Sequence, residues 1–295
     1  MTVNNVLTVT SKGKVPGSIF KNSGFGAKQG HDAFQSLSKL QREALARQDA
    51  PFLKQGLIPN DPRSSEAHLR LTTRLLADRR VFSPCAKAVS HVVEIFERSI
   101  PETQKASLAC KAGCSYCCHQ PVAVTAPEAF YLAALLSLSP DRVAAMEALV
   151  AQSTDRSPDA RRVPWFPCPL LDPEGNCTAY RARPLACRAY VSVDVETCRT
   201  SYPFAGNGQV MEPRGYTPLK DHFRVILLTA MRANGLPLAF YEMNAAVTAA
   251  LRIENAEKRW LRGEAVFADL RTVTPLSANT EKTVSWLAQN IAPTV

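Results

Sequence analysis

A mainly α fold, an irregular helical domain organised around a cysteine-rich metal site and led by a flexible N-terminal arm, is what three observations predict. Apolar residues recur at three- and four-residue intervals through most of the chain beyond residue 31. No segment shows sustained strand alternation, and no internal repeat interrupts the helical pattern. Eight of the nine cysteines fall into two groups, Cys110, Cys114, Cys117 and Cys118, then Cys168, Cys177, Cys187 and Cys198.

Residues 1–31 carry Lys12, Lys14, Lys21 and Lys28, no acidic residue and several Gly and Ser, with no periodicity that builds a buried face. They are read as a flexible basic arm, and residues 32–295 as one helical domain with its cysteine-cluster core at 108–200. Helices are expected near 32–49, 64–80 and 84–98, the last on the spacing of Val92, Ile95 and Phe96. Cys85 and His91 stand in this stretch without neighbouring ligand types and are read as packing residues.

Beyond the first cysteine group, Thr125-Ala-Pro-Glu128 reads as a capping box with proline in the first turn, opening a helix that carries Ala129, Leu132, Ala133 and Leu136 on one face. Ser139-Pro140 opens another with Val143, Met146 and Val150, and 153–167 is a polar loop that lets the two cysteine groups meet. In the last third, Phe223, Leu227, Ala230 and Met231 precede a stop at Gly235. Phe240, Met243, Val247 and Leu251 line the next helix, and 281–291 forms one more.

With 295 residues, of which 46% are hydrophobic, the chain can bury a substantial core. No run approaches the roughly 18 apolar residues of a membrane span, and the polar N-terminus lacks a secretory h-region, so a soluble, cytoplasmic protein is expected. In a reducing compartment clustered thiols point to metal or catalysis, and an odd, clustered count argues against a disulfide scaffold. The net charge of +9 is spread along the chain without a nucleic-acid motif and is read as a solvated basic surface; part of it offsets metal-bound thiolates. Gly24-Phe-Gly26 has no preceding strand and is not a phosphate loop, and no Ser-His-Asp grouping is visible.

Cys110-Lys-Ala-Gly-Cys114-Ser-Tyr-Cys117-Cys118 places four thiols in nine residues, with Gly113 permitting a sharp turn that aims several sulfurs at one centre. The second group is more widely spaced, and short turns with a helical segment over 179–183 are expected to fold it back. Adjacent Cys117 and Cys118 diverge too much to complete one tetrahedron comfortably, which favours two centres or one bridged cluster. Eight thiols fit two four-cysteine sites, zinc or iron–sulfur, with His119 in reserve as a nitrogen ligand. Arg181, Arg183 and Arg188 flank Cys177 and Cys187. Arg188 in particular is expected to stabilise thiolate charge and hydrogen-bond the ligands.

These residues resemble the YkgJ-type cysteine-cluster family, a zinc- or iron-chelating group named for its CxxCxxCC signature. The resemblance rests on the first cysteine group and the following Val122-Ala-Val-Thr125-Ala-Pro-Glu128, then on Cys168-Pro-Leu-Leu, Gly175-Asn-Cys177-Thr-Ala-Tyr180, Arg183-Pro-Leu-Ala-Cys187-Arg188-Ala-Tyr190 and Cys198. It covers about residues 108–200, and it departs from the signature in having three rather than two residues between Cys110 and Cys114. It implies a metal ion as partner, zinc or iron, the iron as an ion or in an iron–sulfur cluster, and leaves room for a protein partner. Neither membrane nor nucleic acid is expected as a partner. Flagellin lysine methylases look related to the same family, and the implied alternative is an S-adenosylmethionine-dependent protein lysine methylase. The spacing of Cys110, Cys114 and Cys117 also resembles a radical S-adenosylmethionine motif, but such enzymes set it after the first strand of a β/α barrel, and no strand series is read here. Electron transfer through an iron–sulfur cluster is a third possibility.

Overall fold

The computed structural model describes residues 39–55, 61–153, 167–201 and 209–291; the basic arm and nearly all of the loop expected at 153–167 lie outside them. Of the helix expected over 32–49, residues 32–38 lie outside the described residues; the described part, α1 (Lys39–Gln55), runs on through Pro51. Its Asp49, buried, faces Arg74 at 3.5 Å and Arg70 at 3.9 Å on α2 (Pro62–Ala77), and in the turns beyond it the Lys54 carbonyl accepts from Arg98 at 2.7 Å, so the helix is tied down by residues distant in the chain.

Start signals set the next two helices. Asp61 accepts from the Arg63 amide ahead of α2, and Ser83 accepts from the Ala86 amide ahead of α3 (Pro84–Arg98), each with proline in the first turn. Cys85 is fully buried on α3, as a packing residue should be. Its amide and the Ser83 hydroxyl both donate to Glu257, which ties the start of α3 to a distant helix, α11 (Ala256–Leu261).

The middle of the chain is less regular. A short helix α4 (Glu102–Ala106) precedes the first cysteine group, which ends in a 3-10 turn, Tyr116–His119. Strand β1 (Ala123–Thr125) then runs directly into α5 (Ala126–Leu136), followed by α6 (Pro140–Ser153). The second group holds a 3-10 turn (Tyr180–Ala182), α7 (Leu185–Ala189) and α8 (Val195–Ser201). The long α9 (Tyr216–Ala233) leads to β2 (Phe240–Glu242), α10 (Met243–Arg252), α11 and α12 (Ala278–Asn290).

The strands pair antiparallel, Ala123 with Glu242, Val124 with Tyr241 and Thr125 with Phe240. Phe240 therefore belongs to a strand and not to the following helix. Three residues are too few to display the two-residue period by which strands are recognised. Each strand feeds a helix, and α5 and α10 pack together below the ribbon.

A continuous buried cluster links these elements. Phe96 meets Tyr216 and Phe223 edge-on at 6.4 and 6.0 Å, joining α3 to α9, while Phe130 lies 5.5 Å from Trp260 and 5.2 Å from Phe267. Among the described residues no helix is long and apolar enough to cross a membrane.

The capping box at α5 has a second use. Buried Glu128 accepts from the amide and hydroxyl of Thr125, both at 2.8 Å, and its other oxygen accepts from the Leu185 amide at 3.0 Å. One carboxylate thus closes the N-terminus of α5 and anchors the first residue of α7, which carries Cys187.

Between α2 and α3, His68 Nδ1 and His91 Nε2 lie 3.2 Å apart, and burial, with the neighbouring His68, Arg98 and Arg74, lowers the His91 pKa to about 4. A histidine held neutral in this way contributes stability that is complete above its ordinary value of 6.5 and is lost as the pH falls from there toward 4. Denaturant unfolding of the wild type and His91→Gln between pH 7 and pH 4 should therefore show their difference shifting by on the order of 2–3 kcal/mol across that window. A pH-independent difference would show that His91 does not titrate against the fold.

Candidate metal centre

Two glycines decide whether the cysteine groups meet. Gly113 has φ +79° and Gly175 φ +81°, both in the left-handed region. A Cβ on Gly175 would stand 2.9 Å from the Gly113 carbonyl oxygen, and one on Gly113 would stand 3.2 Å from that of Glu174. The two loops therefore touch backbone to backbone. Nearby, the Cys168 amide donates to the Cys118 carbonyl at 2.8 Å, so the start of the second group is bonded to the end of the first.

Cys168 and Cys177 belong to a tight hairpin. Leu171 bridges Cys177, the Thr178 amide donates to Leu170, and Asp172 accepts from the Asn176 amide at 2.7 Å to close the turn. Arg142 of α6 grips the hairpin through the Leu171 carbonyl at 2.6 Å. The helical segment expected over 179–183 is only a 3-10 turn, followed by α7 with Cys187 inside it. Cys198 sits on α8, a helix too short to announce itself by periodicity.

Seven of the eight sulfur-bearing residues, Cys110, Cys114, Cys117, Cys118, Cys168, Cys177 and Cys187, line one cavity of about 700 Å³. Cys198 is buried, is not part of the cavity wall and hydrogen-bonds to Ser192. Ser192 also donates its amide to the Cys110 sulfur at 3.4 Å and accepts the Ala109 amide through its carbonyl at 2.9 Å. Nothing in the sequence around Ser192 signals this position between two cysteines. His119 turns Nδ1 to the Tyr116 carbonyl at 3.3 Å and is not part of the cavity wall.

The sulfurs influence one another in two neighbourhoods. Ionisation of Cys198 is opposed by burial and then by Cys110, Cys114 and Cys117, and that of Cys110 by burial and then by Cys114 and Cys117. Burial raises the Cys187 thiol, with Cys168, Cys117 and Cys177 adding to the effect. Cys118 is raised because it donates its S–H to Cys117 and is buried beside Cys168 and Cys187. Cys117, accepting that bond and facing Arg183, is held down to about 7. It stands where the two neighbourhoods meet.

The arginines divide differently from expectation. Arg188, expected to hydrogen-bond the ligands, spends its buried guanidinium on Glu97 at 2.7 Å and on the carbonyls of Tyr180, Arg181 and Arg183, so it shapes the turn before Cys187 and reaches Cys177 only through its field. It is Arg183, stacked 4.1 Å over the Tyr180 ring, that favours ionisation of Cys110, Cys117, Cys177 and Cys187. Among the described residues no three His, Cys, Asp or Glu side chains are already drawn into a coordination shell, so holding an ion requires the sulfurs to close in across the cavity.

Gly175→Ala adds both left-handed strain and the clash with Gly113, whereas Gly263→Ala adds strain alone, because nothing lies within 4 Å of its would-be Cβ at φ +89°. Gly175→Ala should cost on the order of 1 kcal/mol more than the roughly 1–2 kcal/mol of Gly263→Ala, and only it should lower bound metal. Equal unfolding midpoints and equal metal content for the two variants would remove the loop contact as a determinant of the site.

No curated protein and no solved structure matches the chain. Over residues 109–204, about a third of its length, the chain matches the family model CxxCxxCC, "Putative zinc- or iron-chelating domain", which bears out the resemblance read from its cysteines and supports metal binding by this segment.

Proposed function

We propose that the protein binds two metal ions, zinc or iron, in neighbouring four-sulfur sites formed by Cys110, Cys114, Cys117 and Cys198 and by Cys118, Cys168, Cys177 and Cys187. The observation that carries this reading is the convergence of seven cysteines from both groups on one cavity, with the eighth, Cys198, buried and joined to Cys110 through Ser192. The division follows the neighbourhoods of the sulfurs: the adjacent Cys117 and Cys118 thiols meet in a hydrogen bond rather than diverging as an extended segment would make them, and each is assigned to the ion whose other ligands surround it.

A cation offsets the burial, and the mutual repulsion added to it, that raise Cys110, Cys187 and Cys198, and its binding releases the thiol protons. Two four-thiolate zinc sites carry a net charge of about −4, which the chain's +9 and the nearby Arg183 offset. Four sulfurs around each ion leave no open position for a substrate, so this reading is one of metal holding rather than of Lewis-acid catalysis.

Elemental analysis of anaerobically purified protein should give two metal equivalents per chain. Cys118→Ser and Cys198→Ser should each lose one equivalent, and Cys85→Ser none. Absence of bound metal, or identical content in all three variants, overturns the assignment. The ultraviolet–visible spectrum identifies the ion, since zinc thiolates are colourless while iron bound to sulfur absorbs in the visible.

A further inference from the structure

The cavity is far larger than the ions need. Two ions occupy a space on the order of one or two waters, roughly 30 Å³ each, against about 700 Å³ present. Cavities of roughly 300–1,000 Å³ are those that take small organic molecules. Much of this lining is also the wrong chemistry for an ion: Leu132, Met243 and Leu170 are buried apolar residues, and Val122 and Leu108 are half-buried beside them. Cys110, Lys111 and Gly113 are exposed at the rim, so the cavity opens to solvent there.

One polar group in the wall has no acceptor. The Arg183 Nε is buried without a hydrogen-bond partner, while its guanidinium stacks on the exposed Tyr180 ring. A buried donor left unmatched is unfavourable, and a guanidinium held flat by a ring is well placed to receive a carboxylate or sulfonate.

We propose that the cavity binds, beside the metal, a small organic anion whose acid group lies on Arg183 and whose apolar body lies against Val122, Leu132 and Met243. The site shares its cavity with the metal reading but rests on the apolar wall and the unmatched arginine, so the two can fail separately.

The probe is 1-anilinonaphthalene-8-sulfonate, an aromatic sulfonate that fluoresces when its rings leave water, titrated into the metal-loaded full chain. The parent should bind it saturably at one site. Val122→Trp, which fills the apolar side, and Arg183→Met, which removes the cation, should each weaken binding by about tenfold or more. Circular dichroism checks the fold, and Arg183→Met decides the matter if the tryptophan disturbs it. Metal content, measured in parallel, should be unchanged in Val122→Trp. Fully metal-loaded protein that shows no saturable fluorescence, or folded variants that bind as tightly as the parent, overturns the proposal. One-site binding that Val122→Trp weakens in protein devoid of metal supports it while removing the two-ion assignment.

Discussion

Two backbones must touch before eight sulfurs can share a centre. The first cysteine group is a loop with no strand or long helix of its own, and the hairpin of the second group reaches it only because neither Gly113 nor Gly175 has a side chain at the point of contact. Everything else in the site is attached to that contact. The Cys168 amide bonds the Cys118 carbonyl, Arg142 grips the back of the hairpin, and Glu128 holds the helix of Cys187 against the start of α5. Each of these uses a backbone group of the cysteine segment, so the segment is positioned through its main chain and its sulfurs are left to the cavity.

Gathering thiols in a half-buried space has an electrostatic cost, and the structure manages it with charges of different function. Arg188 is consumed by Glu97 and three carbonyls, which orders the turn but leaves little of its charge for sulfur. Arg183 makes fewer fixed contacts and acts on four thiols. Two arginines five residues apart thus do separate work, and their order in the sequence, with Arg188 next to Cys187, suggests the opposite assignment. Adjacency along the chain is a poor guide here because α7 turns Arg188 away from the sulfur that precedes it.

The sequence is most legible where local chemistry and tertiary packing agree. The third helix occupies its expected span, 84–98, because Ser83 and Pro84 start it and its apolar stripe is buried along its length. The capping box at Thr125 and Glu128 was equally readable, though its third bond, to Leu185, depends on a residue far along the chain and has no local signature. Legibility fails for the short pieces. Neither three-residue strand, nor α4, α8 or α11, is long enough to establish a period, and α1 outruns its expected end where its Lys54 carbonyl accepts from the distant Arg98. The cysteines themselves were visible by density, yet Ser192 was not, since one serine among many gains its meaning only from the two sulfurs it lies between.

Scaffold and site are unequally coupled. Cys85 lies inside the continuous apolar core, Cys168 and Cys177 pack against it, and none of Cys110, Cys114, Cys117 or Cys118 belongs to it. The helices therefore have their own source of stability in packing, unlike small zinc domains whose folding is supplied by the metal. What an ion adds falls mainly on the first cysteine loop, which has few apolar contacts and is fixed by the Gly113 approach and the Cys118 carbonyl. Side chains of such a loop can rearrange between these two fixed points without disturbing the core. That freedom is what a site needs if its sulfurs must close around an ion that they do not already surround.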